Sequence, residues 1–242
     1  MTEQVKTPKP DYVGHRRRLR EKFFKAGSGG FHDYETLELL LTFAIPRIDT
    51  KPLAKRLIKK FGSFARVLDA PLEKLREVEG MGEYACSLLP ILKSSMELYL
   101  SEGMKQADAL NSPEAVIRYC RAVLGGENNE VFLLLYLSSK NRVTGTERLS
   151  EGTIDHAPVY PRRIIEGALK ANAAGIIFVH NHPSGDPVPS PQDKNLTQEI
   201  ASTAKPLGVE IHDHIIIGRG GYFSFRENGL MGAKKERVSN GT

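Results

Sequence analysis

Within HNHPSGDPVPSPQD, residues 180–193 of this 242-residue chain, two histidines and an aspartate are spaced as metal ligands: His180, His182 and Asp193. The apolar run Gly175–Val179 (GIIFV) reads as a buried strand that ends in His180. Alternation along a strand sends residues i and i+2 to one face, so both imidazoles can reach a single ion. Between them and Asp193 lies a loop stiffened by Pro183, Pro187 and Pro189 and turned by Gly185. Ser190 is a natural cap for the next helix, with Pro191 at its first position and Asp193 in its first turn. Two imidazoles and one carboxylate leave the fourth corner of a tetrahedral ion to water, the ligand count of a catalytic rather than a structural zinc site. Zinc in such a site lowers the pKa of its water to about 7, giving a nucleophile at neutral pH. An isolated H-x-H is weak evidence, but the full string, with strand end, loop and helix start in order, is far rarer. The expectation is one zinc ion per chain.

The elements that must position these residues fall into two textures. From about Gly14 to Glu102 the pattern is helical. Leu37, Leu40, Leu41 and Ala44 follow i, i+3, i+4, i+7 spacing, as do Leu53, Leu57, Ile58 and Phe61, and turn residues separate five or six short helices. Residues 105–112 are polar and read as a linker between a helical domain, 1–104, and a second domain, 113–232, with a loose tail over 233–242. In the second domain strands and helices alternate. Val131–Leu137 is an apolar run of strand length, and Arg142–Leu149 reads as its partner across a turn. Pro161–Ala171 reads as a helix, Val209–Gly218 as a strand and Tyr222–Phe225 as a short one. The expected fold is an all-α bundle followed by an α/β domain with a mixed sheet and helices on its faces.

Composition sets broader bounds. Hydrophobic residues at 40% and charged ones at 26% describe a globular chain. No apolar stretch approaches the ~20 residues that span a bilayer, and the first residues lack the apolar core of a signal peptide, so no membrane and a cytoplasmic location are expected. Cys86 and Cys120 have no paired or ligand-like spacing and are read as reduced thiols. The net charge of +5 is uneven: residues 1–110 hold 19 Lys and Arg against 15 Asp and Glu, and the excess gathers in Arg16–Lys22 and Lys51–Lys60. Such clusters suit an anionic partner, and they also suit a solvated helix face.

The string H-x-H-P-S-G-x-x-x-P-S-x-x-D resembles the metal signature of JAMM (MPN+) proteins, in which two histidines, a serine and an aspartate follow a distant glutamate. Over roughly residues 14–232 the chain resembles the bacterial RadC-like proteins, also through Leu39–Arg47 (LLLTFAIPR), Lys170–Ile177 (KANAAGII) and Asp213–Gly218 (DHIIIG). It departs from them at Arg163, where the family tends to carry glutamate. The resemblance implies a JAB/MPN-like, cytidine-deaminase-like fold and a zinc-dependent metallopeptidase that cuts amide or isopeptide bonds in a protein or peptide substrate. It also implies a glutamate acting as general base. Glu130, at the start of the first strand, is the preferred candidate, with Glu147 and Glu151 as alternatives. Ser190 would stabilise the developing oxyanion, or serve only as a helix cap. His212 and His214, read as sharing a strand face, are assigned no ligand role and are taken to back the site or pack the sheet.

Val78-Glu79-Gly80-Met81-Gly82 fits the helix-hairpin-helix pattern, whose turn amides can hold a nucleic-acid phosphate. Glu77, Glu79 and Glu83 place negative charge around that turn, which opposes phosphate binding. Two partners for the first domain therefore stand side by side, nucleic acid and another protein. The alternative reading of the whole chain is a DNA-associated protein whose metal domain serves recognition or phosphodiester chemistry.

Overall fold

The computed structural model describes residues 14–149 and 161–231, and by its internal contacts the chain forms two compact units, 1–95 and 96–242. In the first, helices α1 (His15–Ala26), α2 (Asp33–Ala44), α3 (Lys51–Phe61), α4 (Phe64–Leu68) and α5 (Leu72–Arg76) precede the long α6 (Glu83–Gln106). Of the i, i+3, i+4 positions read in the sequence, Leu37, Leu41, Leu53 and Leu57 are buried in their core with Leu75 and Leu89, Ala44, Ile58 and Phe61 pack partly buried against it, and Leu40 stays outside it. Gly62 closes α3 in the left-handed conformation, φ 96°, which glycine adopts without a Cβ penalty.

The boundary differs from the one expected. No break falls at 104, because α6 continues to Gln106, and its last turns bury Met104, with Leu100 alongside, in the core of the second unit. Nor is 105–112 a free linker. Ala109 is buried, its N–H donates to the Asn141 carbonyl at 2.9 Å, and the backbone of Asp108 forms an isolated antiparallel β-bridge with that of Arg142.

The second unit is built on a five-stranded mixed sheet in the order β2-β1-β3-β4-β5, with β1 (Phe132–Leu137), β2 (Val143–Arg148), β3 (Gly175–Asn181), β4 (Glu210–Ile217) and β5 (Tyr222–Ser224). Strands β3 and β4 pair in parallel, and the other neighbouring pairs are antiparallel. Helix α7 (Pro113–Leu124) covers one face, where Leu133, Leu135, Ile177, Val179 and Ile215 meet Val116, Cys120 and Leu124. Helices α8 (Pro161–Lys170) and α9 (Pro191–Ala204) cover the other, over Leu134, Tyr136, Ile176 and Phe178. Strand β3, buried along its whole length, is the centre of the sheet, which is why GIIFV is continuously apolar. Both cysteines are buried and unpaired. Among the described residues no helix is long and apolar enough to cross a membrane.

Candidate metal centre

The site forms where β3 runs out. His180 is its penultimate residue, and the His182 N–H still reaches the Ile217 carbonyl of β4 at 2.9 Å, so the strand geometry holds past the second histidine. Their Nε2 atoms lie 3.0 Å apart. The chain then turns at once. Gly185, at φ 94°, donates its N–H to the His182 carbonyl, and its own carbonyl accepts from Arg219 N–H at 3.0 Å. A Cβ on Gly218 would sit 2.5 Å from that carbonyl, so only glycine lets loop and strand end approach this closely.

Asp193 returns on α9 through a reciprocal cap. The Ser190 hydroxyl accepts from the Asp193 N–H at 3.1 Å, while Asp193 Oδ2 accepts from both the N–H and the hydroxyl of Ser190, each at 2.7 Å. The aspartate oxygens then lie 3.3 Å from His180 Nε2 and 3.5 Å from His182 Nε2. Ligand atoms of His180, His182 and Asp193 all fall within 4.8 Å of one another. Burial alone would raise the Asp193 carboxyl, but it is held well below the usual carboxylate range, with the Ser190 hydroxyl and N–H both donating to it.

The donor set fits a cation. His182 Nδ1 faces the Asp186 carbonyl at 2.7 Å, a partner that can only accept, so its proton sits on Nδ1 and Nε2 is bare. A bare imidazole nitrogen and a carboxylate, turned on the same point as a second imidazole nitrogen, lack a positive charge between them. A divalent ion supplies it, and two nitrogens with one oxygen suit zinc.

Of the two candidate glutamates among the described residues, Glu130 is brought to the cluster, with Oε1 3.7 Å from His180 Nε2 and a side chain 37% exposed. Glu147 is not: its carboxylate accepts from the Tyr136 hydroxyl, beside Gly167 of α8. Glu151 lies outside the described residues. Ser190 stands in the cluster, but its hydroxyl proton is given to Asp193.

Two features escaped the sequence reading. Asn181, between the histidines, points the other way and binds the loop that carries Glu130. Its side-chain oxygen accepts from Val131 N–H at 2.8 Å, and its amide donates to the Asn129 carbonyl at 3.0 Å. The alternation that unites His180 and His182 also sends Asn181 to the opposite face, and that was the available signal. The histidines of β4 also part company. The β3–β4 register passes from Ile176↔Ile211 to Ile177↔Asp213, which leaves His212 as the extra residue of a bulge, against Gly175. His214 instead pairs with Phe178, and its ring lies 2.8 Å from His180.

A mixed five-stranded sheet with a His-His-Asp cluster at its central strand end defines a JAB-like domain, and residues 110–230 match the family described as the RadC-like JAB domain. A UPF0758 protein of Ruegeria pomeroyi is 44% identical over 223 residues, 92% of this chain and 100% of that relative. A UPF0758 protein of Rhodobacter capsulatus is 43% identical over 213 residues, 88% of this chain and all of its own length. The chain belongs to the RadC family.

Proposed function

We propose that the second unit is a zinc-dependent hydrolase that cuts amide or isopeptide bonds in a protein or peptide substrate. The observation that carries this reading is the convergence of His180, His182 and Asp193 with Glu130 standing 3.7 Å from His180 Nε2 on the exposed side. His180 and His182 would hold the ion through Nε2 and Asp193 through a carboxylate oxygen. A zinc ion so held supplies Lewis acidity and acidifies water to near neutrality. Glu130 accepts a proton from the attacking water on Oε1 and passes it to the departing amine nitrogen. Its exposure leaves it reachable by substrate. Ser190, as found, fixes the Asp193 carboxylate, and turning its hydroxyl toward a developing oxyanion would break that bond. Two carboxylates at the cluster, Asp193 and Glu130, favour a neutral amide over an anionic phosphodiester.

For the helical unit, protein docking or a supporting role is better favoured than nucleic-acid binding. Several cations of its basic clusters are turned to partners within the unit. Arg16 donates to the Ile45 and Ile48 carbonyls, Lys22 pairs with Glu35, Lys60 with Glu77, and Arg56 caps the Glu79 carbonyl in the Gly80–Gly82 turn. The test is a peptide-library cleavage assay on the zinc-loaded full chain, with a duplex nuclease assay beside it. Peptide cleavage that is lost in Glu130→Gln supports the reading, and nuclease activity lost in the same variant would replace it with phosphodiester chemistry.

A further inference from the structure

His214 is fully buried in β4, its ring between Phe178 and Phe225 with centroids 4.5 Å away on each side. Such a setting excludes the imidazolium, so the ring carries one proton. Its Nδ1 lies 2.7 Å from Thr197 Oγ1 and its Nε2 2.8 Å from His180 Nδ1.

The proton order follows from the far end. The single hydroxyl proton of Thr197 is donated to the Asp193 backbone carbonyl at 2.6 Å, one turn back on α9. Toward His214 the Thr197 oxygen can only accept, so His214 bears its proton on Nδ1. His214 Nε2 is then bare and accepts from His180 Nδ1–H. His180 Nε2 is left for a ligand, aimed at the space shared with His182 Nε2 and Asp193 Oδ1. The series starts at the Asp193 carbonyl and ends beside the Asp193 carboxylate, so one residue of α9 anchors both ends.

We infer that His214, oriented by Thr197, is a positioning residue that fixes His180 as the Nε2-ligating tautomer and thereby sets metal affinity. This rests on the metal reading above. It gives a buried histidine of the DHIIIG stretch a task that is neither ligation nor proton transfer to substrate.

Zinc affinity, measured on the full chain by competition with a chromophoric chelator, tests it alongside the melting temperature of the metal-free protein. His214→Leu keeps apolar bulk between the phenylalanines and removes the acceptor. His214→Gln keeps an acceptor for His180 and a donor for Thr197, and packs worse. Positioning predicts that Leu weakens zinc binding roughly 10–100-fold, that Gln restores most of it, and that Thr197→Val falls between. Packing predicts the opposite order of Leu and Gln, in melting temperature only. Leu binding zinc like wild type, or Gln losing as much as Leu, overturns the inference. Should Leu fail to fold, the near-isosteric Thr197→Val decides, and unchanged affinity there overturns it. Wild-type protein that takes up no zinc would instead overturn the metal reading itself.

Discussion

The Val131 N–H and the Asn181 side-chain oxygen, 50 residues apart in sequence, meet at 2.8 Å in a buried hydrogen bond. Through it the residue between His180 and His182 holds the start of β1 and, just before it, Glu130. With a second bond to Asn129, Asn181 ties the proposed base to the proposed ligands across the β1–β3 edge. Asn181→Ala leaves a buried N–H without its partner, a loss of about 1–3 kcal/mol. Denaturant unfolding of the metal-free protein is expected to register that loss, while zinc affinity stays near wild type because no ligand is touched. A variant as stable as wild type would contradict the clamp.

Glu130→Gln separates the base from the ligands. The amide preserves shape but accepts no proton, so hydrolysis should fall by about 10²–10⁴ with metal content intact. Glu147→Gln should leave activity near wild type, because that carboxylate is committed to Tyr136. Activity lost in the second variant and kept in the first would reverse the assignment.

Asp213 gives a pH-dependent stability. Burial raises its carboxyl from 3.8 to about 6 in the folded protein, against the hydrogen bonds from Ser224, Arg226 N–H and His214 N–H. The folded state therefore favours the protonated form, and this contribution is fully present below about pH 4 and lost as pH rises through about 6, a change of about 3 kcal/mol. Asp213→Asn can keep the bond to Ser224 by donating, and accept the two N–H groups, without the charge. Its stability relative to wild type should rise between pH 5 and 8 in urea titrations by roughly half of that energy, the other half falling below pH 5. A constant difference across that range would contradict the assignment.

The His-His-Asp cluster was legible because each part is local: alternation aligns His180 with His182, and a Ser-Pro-x-Asp cap sets Asp193. What could not be read depends on pairings distant in sequence. His212 and His214 look equivalent until the β3–β4 register skips one of them. Asn181 has no visible purpose until β1 pairs with β3. The end of the first unit was placed too late because Lys105–Ser112 is polar by composition, whereas Met104 and Ala109 bury themselves in the second core. The basic clusters were legible as charge but not as partners, since Arg16 reaches carbonyls about 30 residues away.

That last point bears on nucleic acid. With Arg16, Lys22, Arg56 and Lys60 engaged by carbonyls and carboxylates of the helical unit, the full chain is expected to bind short duplex DNA poorly even at about 50 mM salt. Binding whose logarithm falls with log salt at about −0.9 per contact, summed over three to five phosphates, would restore the nucleic-acid reading.

The central claim, that His180, His182 and Asp193 hold one catalytic ion, is tested most directly by elemental analysis of the full chain after zinc loading and exhaustive dialysis. Wild-type protein should retain about one zinc per chain, and the double variant His180→Ala/His182→Ala essentially none while remaining folded by circular dichroism. Stoichiometric zinc in that double variant, or none in the wild type, would contradict the account.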